Sequence, residues 1–277
     1  MKLYDCFLFN GELDLLEIRL NILNDYVDKF VILEGEETFS GLPKPLYLDL
    51  NQSRYEKFAS KIEYLVAPAP KSIPCPWSRE SYYRNCLIEG IKSCSVHDYI
   101  MLSDLDWIPD PEKLYYYITR INDPFTLLLR DHLYYLDCKF VFNPDFIGTV
   151  IARKQIINDL YAKWDKSYYG MSDVGLSRLC KIRGECIQIP LAGWHYRNVF
   201  STEEISRKLR SFSHSEANTP DINNLENINS CKKELKNINP SCKDSKVERY
   251  ELNLTNTHKY IIDNLDKYNQ YLYPKGL

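Results

Sequence analysis

Apolar runs and helix-spaced apolar positions take turns along the first hundred residues. Lys2 to Phe9 is a short β-rich run. Asn10 stands where an N-cap is expected, and Leu13, Leu16, Leu20 and Leu23 follow at helical spacing. Phe30-Val31-Ile32-Leu33 is a continuous apolar run ending at Glu34, the pattern of a strand buried on both faces. After a loop with Gly41, Pro43 and Pro45, another strand is predicted at Ile62 to Val66. A proline-rich stretch (Pro68, Pro70, Pro74, Pro76) then leads to a helix from about Arg79 to Lys92. Tyr99-Ile100-Met101-Leu102 is the next buried strand and runs directly into Asp104. Strands alternating with helices predict an α/β fold with right-handed crossovers and a mostly parallel sheet covered on both faces. Ligands of such sheets bind at the carboxyl ends of the strands, where Glu34 and Asp104 stand.

Beyond Pro111 the pattern is mixed. It predicts a helix near Glu112 to Ile121, strands at Phe125 to Tyr135 and Phe146 to Ala152, and helices near Gln155 to Lys163 and Asp173 to Arg183. A further apolar strand is expected at Ile187 to Leu191. Thr219 to Lys246 is polar, rich in Asn, Lys and Ser and poor in aromatic residues, which predicts a mobile loop or a loosely packed helix. Helical spacing resumes near Asn256 and persists toward Tyr271. No internal repeat is visible.

Composition narrows the partners. With 277 residues, 44% of them hydrophobic, the chain can bury a substantial core as a single domain over residues 1–277. The net charge of −3, with both signs interspersed, leaves no basic stripe for a phosphate backbone, so no nucleic-acid partner is expected. No apolar run reaches the about 18 to 20 residues of a membrane span, and Met1 to Phe9 alternates like a strand, not a signal sequence. The nine cysteines contain no C-x-x-C pair and read as reduced core thiols. The expected location is therefore soluble, in the cytoplasm or a host cell's cytoplasm. Sequons at Asn51 and Asn253 arise readily by chance in an Asn-rich chain.

The chemistry centres on Ser103-Asp104-Leu105-Asp106. Two aspartates one residue apart at the end of a strand point to the same side by its period-two alternation. Convergent carboxylates repel unless a cation lies between them, and hard oxygen ligands suit Mg²⁺ or Mn²⁺, above all when phosphate oxygens complete the shell. An EF-hand is excluded, because Ile108 and Pro109 fall where that loop needs an oxygen ligand and a glycine. An Asp-x-Asp is also common as a solvated turn. Its position after a buried strand, behind a helix bearing Arg79 and Arg84, favours the metal site.

Several blocks together resemble a known family. They are Tyr4-Asp5-Cys6-Phe7-Leu8-Phe9-Asn10 with Glu12 to Leu20; Asp28-Lys29-Phe30-Val31-Ile32 with Thr38-Phe39-Ser40-Gly41; Ser103 to Asp106 with Ile108-Pro109; and Gly193-Trp194-His195 leading to Lys208-Leu209 and Ser211-Phe212-Ser213-His214. The combination is similar to glycosyltransferase family seventeen, the β-1,4-mannosyl-glycoprotein 4-β-N-acetylglucosaminyltransferases and their bacterial and viral relatives. It covers most of the chain up to about Glu216.

The resemblance implies a GT-A fold, a UDP-N-acetylglucosamine donor, a glycan acceptor, a divalent metal and inversion at the anomeric carbon. Residues 1–110 would then bind the nucleotide sugar, and 111–277 the acceptor, with 219–246 as the mobile part. Two departures stand out. The family usually carries an acidic residue directly after its second metal-motif Asp, where this chain has Trp107. Animal members also carry a membrane anchor ahead of the catalytic domain, whereas here the first strand opens the chain, so Golgi residence is not carried over.

Other candidates follow from position. Glu34 would accept hydrogen bonds from ribose or uracil, or is a carboxylate at a loop entrance. Arg79 and Arg84 would offer bidentate contacts to phosphate, or form a solvated helix face. His195 would complete the metal shell beside Asp104 and Asp106, and Trp194 would stack on a sugar ring or belong to the core. The base is expected at Asp173, because Gly170-Met171-Ser172-Asp173 followed by a helix, Gly184 and a strand resembles the acceptor-side segment of inverting GT-A enzymes; the alternative is a helix N-terminal Asp in favourable contact with the dipole. Asp131 and Glu203 are reserves. Two other function classes stay open: a sugar nucleotidyltransferase, which would normally show a Gly-rich phosphate loop that Phe9-Asn10-Gly11-Glu12 is not, and a non-catalytic glycan-binding protein.

Overall fold

The computed structural model describes residues 1–141, 145–162, 175–238 and 246–274. Its first part alternates as predicted: β1 (Leu3–Phe9), α1 (Leu13–Leu23), β2 (Lys29–Gly35), the short α2 (Tyr47–Leu50), β3 (Ile62–Ala67), α3 (Pro76–Cys86) and β4 (Tyr99–Asp104). β5 (Trp107–Pro109), α4 (Pro111–Ile118), β6 (Phe125–Leu133), β7 (Cys138–Phe140), β8 (Asp145–Arg153), α5 (Lys154–Ala162) and α6 (Gly175–Lys181) follow. The chain then passes through β9 (Ile187–Ile189), β10 (Gly193–Arg197), α7 (Thr202–Ser211), α8 (Leu225–Lys233), β11 (Val247–Arg249) and α9 (Lys259–Asp263).

The local chemistry explains most boundaries. β1, β2 and β4 are buried along nearly their whole length, which is why their sequences read as unbroken apolar runs. α3 starts before its expected first residue because Pro76, which has no N–H to lose, occupies the first turn; it ends in a 3₁₀ turn over Leu87–Ile91. Asp110 caps α4 by accepting from the amides of Glu112 and Lys113, with Pro111 in the first turn. Asn10 does not cap α1. Its amide donates to Glu12 Oε2 at 3.0 Å, and its side chain donates to Ser211 Oγ at 2.8 Å. The expected long helix after Asn256 is only α9 and a 3₁₀ turn at Asn269–Tyr271, because Asn264 ends α9 and turns its side chain back to the carbonyl of Tyr260 at 2.8 Å.

The described strands form one sheet in the order β11-β7-β6-β8-β4-β1-β2-β3, with β9 and β10 beside β6 and β5 beside β10. β3, β2, β1 and β4 are all parallel. From β8 onward the sheet is mixed, since β8 runs antiparallel to both β4 and β6, so the expectation of a mostly parallel sheet holds for the first half alone. Strands from both halves of the chain thus share one sheet. The chain leaves β1 toward β2 and β3 and returns on its other side as β4. That reversal opens a crevice at the carboxyl ends of β1 and β4.

The polar stretch 219–246 contains a packed helix. Asn224 caps α8, Ile228 is fully buried, and Thr202 of α7 donates to Asn229 at 2.5 Å. Residues 239–245 lie outside the described part. Among the described residues no helix is long and apolar enough to cross a membrane, and the described cysteines are unpaired.

Candidate active site

A cleft of about 780 Å³ opens at the carboxyl ends of β1, β4 and β10, within the about 300–1,000 Å³ usual for small-molecule sites. Asp104 and Asp106 both line it. They converge by a different route from the predicted one: β4 ends at Asp104, Leu105 and Asp106 form a turn, and β5 begins at Trp107. The turn is held from behind by Arg19, which lies on the buried face of α1. Its Nη1 donates to the carbonyls of Asp104 (3.1 Å), Leu105 (3.2 Å) and Trp107 (2.7 Å). Its Nη2 donates to Ser103 Oγ at 2.8 Å, and Asp5 neutralises it. The amide of Tyr196 donates to the carbonyl of Asp106 at 2.9 Å, so each carbonyl from Asp104 to Trp107 has a donor.

Charges alternate along the wall. Arg84 donates to Asp104 Oδ1 at 2.5 Å and to Glu80 Oε1 at 2.7 Å, and Ser213 donates to the other oxygen of Glu80. Lys208 of α7 donates to Asp106 Oδ2 at 3.0 Å. His195 Nε2 lies 3.9 Å from that same oxygen, and its Nδ1 lies 2.8 Å from Asp131 Oδ1. Arg197 completes the row at 2.7 Å from Asp131 Oδ2. The two aspartates are thereby set apart. Burial, with Glu80 and Asp106 adding to it, pushes the Asp104 carboxyl up against the opposing pull of Arg84. Burial would raise Asp106 as well, but Lys208, His195 and Arg197 outweigh it and hold that carboxyl below the usual range. Glu80 is held down likewise, by Arg84 and Ser213 against its burial.

Of the residues expected here, Arg84, Asp104, Asp106 and His195 meet in the cleft. Others are engaged elsewhere. Glu34 is fully buried, and its oxygens accept from the amides of Tyr47 (2.7 Å) and Leu48 (3.0 Å), from Lys44 (2.6 Å) and from Tyr64 (3.1 Å); it anchors α2 to the sheet and has no oxygen to offer a nucleoside. Arg79 pairs with Glu37 at 2.6 Å and packs beside Gly41, away from the cleft. Trp194 points to the opposite face of β10 from His195, as strand alternation requires, and its Nε1 donates to the carbonyl of Asn256 at 2.7 Å. It is a core residue, not a sugar platform. Glu203 is exposed in the first turn of α7. Asp131 lies beside His195 and Arg197, just outside the cleft lining. Asp173 lies outside the described residues. Trp107 forms cleft wall, its ring 5.3 Å from Phe146 and 6.3 Å from His195.

Sequence reasoning assigned no role to Arg19, Glu80 or Lys208. Arg19 carried a signal: it is a charge on the apolar stripe Leu16-Leu20-Leu23, opposite an acid, Asp5, in a buried strand. Glu80 and Arg84 are spaced as a helical ion pair. Lys208 stood only inside the family block Lys208-Leu209, which gave it no role of its own.

The donor set suits a divalent cation held partly by its ligand. Asp104 Oδ2 and Asp106 Oδ1 accept no hydrogen bond from the described residues, and both residues line the cleft, whereas no three candidate ligands among the described residues lie close enough to cage an ion. Two carboxylates plus substrate phosphate oxygens is the usual arrangement for Mg²⁺.

A sequence profile of glycosyltransferase family 17 matches residues 1–276. The chain belongs to glycosyltransferase family 17. Human β-1,4-mannosyl-glycoprotein 4-β-N-acetylglucosaminyltransferase is 30% identical to it over 138 residues, 45% of this chain and 25% of the human protein, and the Rattus norvegicus enzyme of that name matches equally. The family 17 chain thus matches these curated relatives over about a quarter of their length. Among solved structures, the inositol-1-phosphate CTP transferase from T. maritima is 12% identical, with a TM-score of 0.41 over 70% of this chain and 86% of that one. Glycosyltransferase GlyE of Streptococcus pneumoniae TIGR4 is 10% identical, with a TM-score of 0.34 over 68% of this chain and 45% of its own.

Proposed function

We propose that this family 17 chain is a metal-dependent, inverting glycosyltransferase of GT-A type that moves N-acetylglucosamine from a UDP donor to a glycan hydroxyl. The observation that carries it is the convergence of Asp104 and Asp106 on one cleft at the β1/β4 crevice, each with a cationic side chain alongside and, among the described residues, one oxygen without a hydrogen-bond donor. A Mn²⁺ or Mg²⁺ on the pair would supply Lewis-acid stabilisation of the departing diphosphate.

The chain's own residues supply position and field. Arg19 fixes the turn that aims both carboxylates. Arg84, in the cleft wall beside Asp104, adds a buried positive charge to the field in which a diphosphate would sit. Trp107 and Phe146 keep one wall dry, which strengthens the charges around it. An inverting reaction needs one base for the acceptor hydroxyl, and we assign it to Asp173 on the resemblance of its segment.

The test is release of UDP from a panel of nucleotide sugars, with Mn²⁺ or with chelator, using Asp104→Ala and Asp106→Ala as controls. UDP-N-acetylglucosamine turnover that needs the metal and both aspartates is the expected result. Nucleotide release that survives chelator, or no binding of any donor, overturns the reading.

A further inference from the structure

Both carboxylates of the pair already carry a cation, and the two cations are held very differently. Arg84 is 7% exposed and bridges Asp104 and Glu80, so leaving would take its charge from two carboxylates at once. Lys208 is 23% exposed and hydrogen-bonds one carboxylate, at 3.0 Å. Its four-carbon stem rises from the last turn of α7, a helix pinned by the Ser201–Glu204 capping box and the buried Ile205 and Leu209. The helix is fixed, and the rotatable bonds of the lysine stem are what would let its ammonium move. Phe200, 5.1 Å away, and Glu12 and Glu204, on the walls of a small cavity shared with Arg207, lie close to it.

A divalent cation on Asp106 Oδ1 and an ammonium on Oδ2 would repel each other at close range, so each weakens the other's hold on that carboxylate. We propose that Lys208 is a shuttling charge: it occupies Asp106 in the donor-free chain, is displaced when a divalent cation takes that carboxylate, and then pairs with the diphosphate of the nucleotide. Lys208 therefore opposes metal alone and favours metal with nucleotide, coupling the two bindings. The inference rests on the metal-dependent reading above.

Opposite signs make the test specific. Mn²⁺ binding to the donor-free chain is followed by electron paramagnetic resonance, and UDP binding at saturating Mn²⁺ by calorimetry, for wild type, Lys208→Met and Lys208→Arg. Lys208→Met is expected to bind Mn²⁺ about fivefold more tightly and UDP about tenfold more weakly, as follows from removing one close charge. Lys208→Arg is expected to stay near wild type in both. Weaker or unchanged Mn²⁺ binding in Lys208→Met, or unchanged UDP binding, overturns the shuttle while leaving the metal reading intact. Absence of Mn²⁺ binding in wild type, with and without UDP, overturns both. Should Lys208→Met not fold, amine labelling of wild type decides: Mn²⁺ alone should raise the reactivity of Lys208, and UDP added to Mn²⁺ should suppress it. Reactivity indifferent to Mn²⁺ sinks the proposal.

Discussion

Asp5 and Arg19 form an ion pair with no solvent exposure, joined at 2.6 and 2.8 Å, and the same guanidinium ties down the Asp104 turn. Arg19→Leu strands a buried carboxylate and is expected to cost about 3–5 kcal/mol in urea unfolding. The double variant Asp5→Leu/Arg19→Leu removes the stranded charge and should regain a large part of that loss. It should not regain Mn²⁺-dependent UDP binding, because the carbonyls of Asp104, Leu105 and Trp107 still lack their donor. Full recovery of both would show that Arg19 is structural only.

Gly193 joins β10 to β5 with φ +150°, where a Cβ would lie 2.3 Å from the Ile108 carbonyl oxygen and 2.8 Å from Pro109 Cα. Both obstacles are backbone and cannot swing away. Gly193→Ala should therefore destabilise the chain by about 2 kcal/mol or more and weaken UDP binding by displacing His195. A thermal melt that matches wild type rejects this.

Trp194→Phe removes the Nε1 hydrogen bond to Asn256 and leaves a void on the far side of β10. The expected effect is a stability loss of about 1–3 kcal/mol with donor affinity within about threefold of wild type. A selective loss of sugar-nucleotide affinity at unchanged stability would return Trp194 to the site.

Acid sensitivity should come partly from His132. It is fully buried, and burial lowers its pKa from 6.5 to about 4. Between those values the unfolded chain takes up a proton that the folded chain refuses. Its contribution is complete above pH about 6.5 and is lost as pH falls toward 4, amounting to about 2 kcal/mol between pH 7 and pH 5. Urea titrations at the two pH values, compared with His132→Asn, check this: the variant should show a loss smaller by about that amount.

The parallel half of the fold was legible because β1, β2 and β4 are buried on both faces, and nothing but unbroken apolar runs fits such positions. The polar middle of 219–246 was read less well, since α8 rests on a single fully buried residue, Ile228, and on capping that composition does not reveal.

Local sequence was therefore enough to place Asp104 and Asp106 at the end of a buried strand and, through several blocks in combination, to indicate the family. It could not place the partners of that pair. Arg84, Lys208 and His195 reach the cleft from α3, α7 and β10, and Glu34, equally well placed in the sequence, is drawn instead into the hydrogen bonds of α2. Strand ends are set by patterns a few residues long, whereas which charges face one another depends on how helices separated by a hundred residues pack over a sheet. The tertiary structure alone decided that.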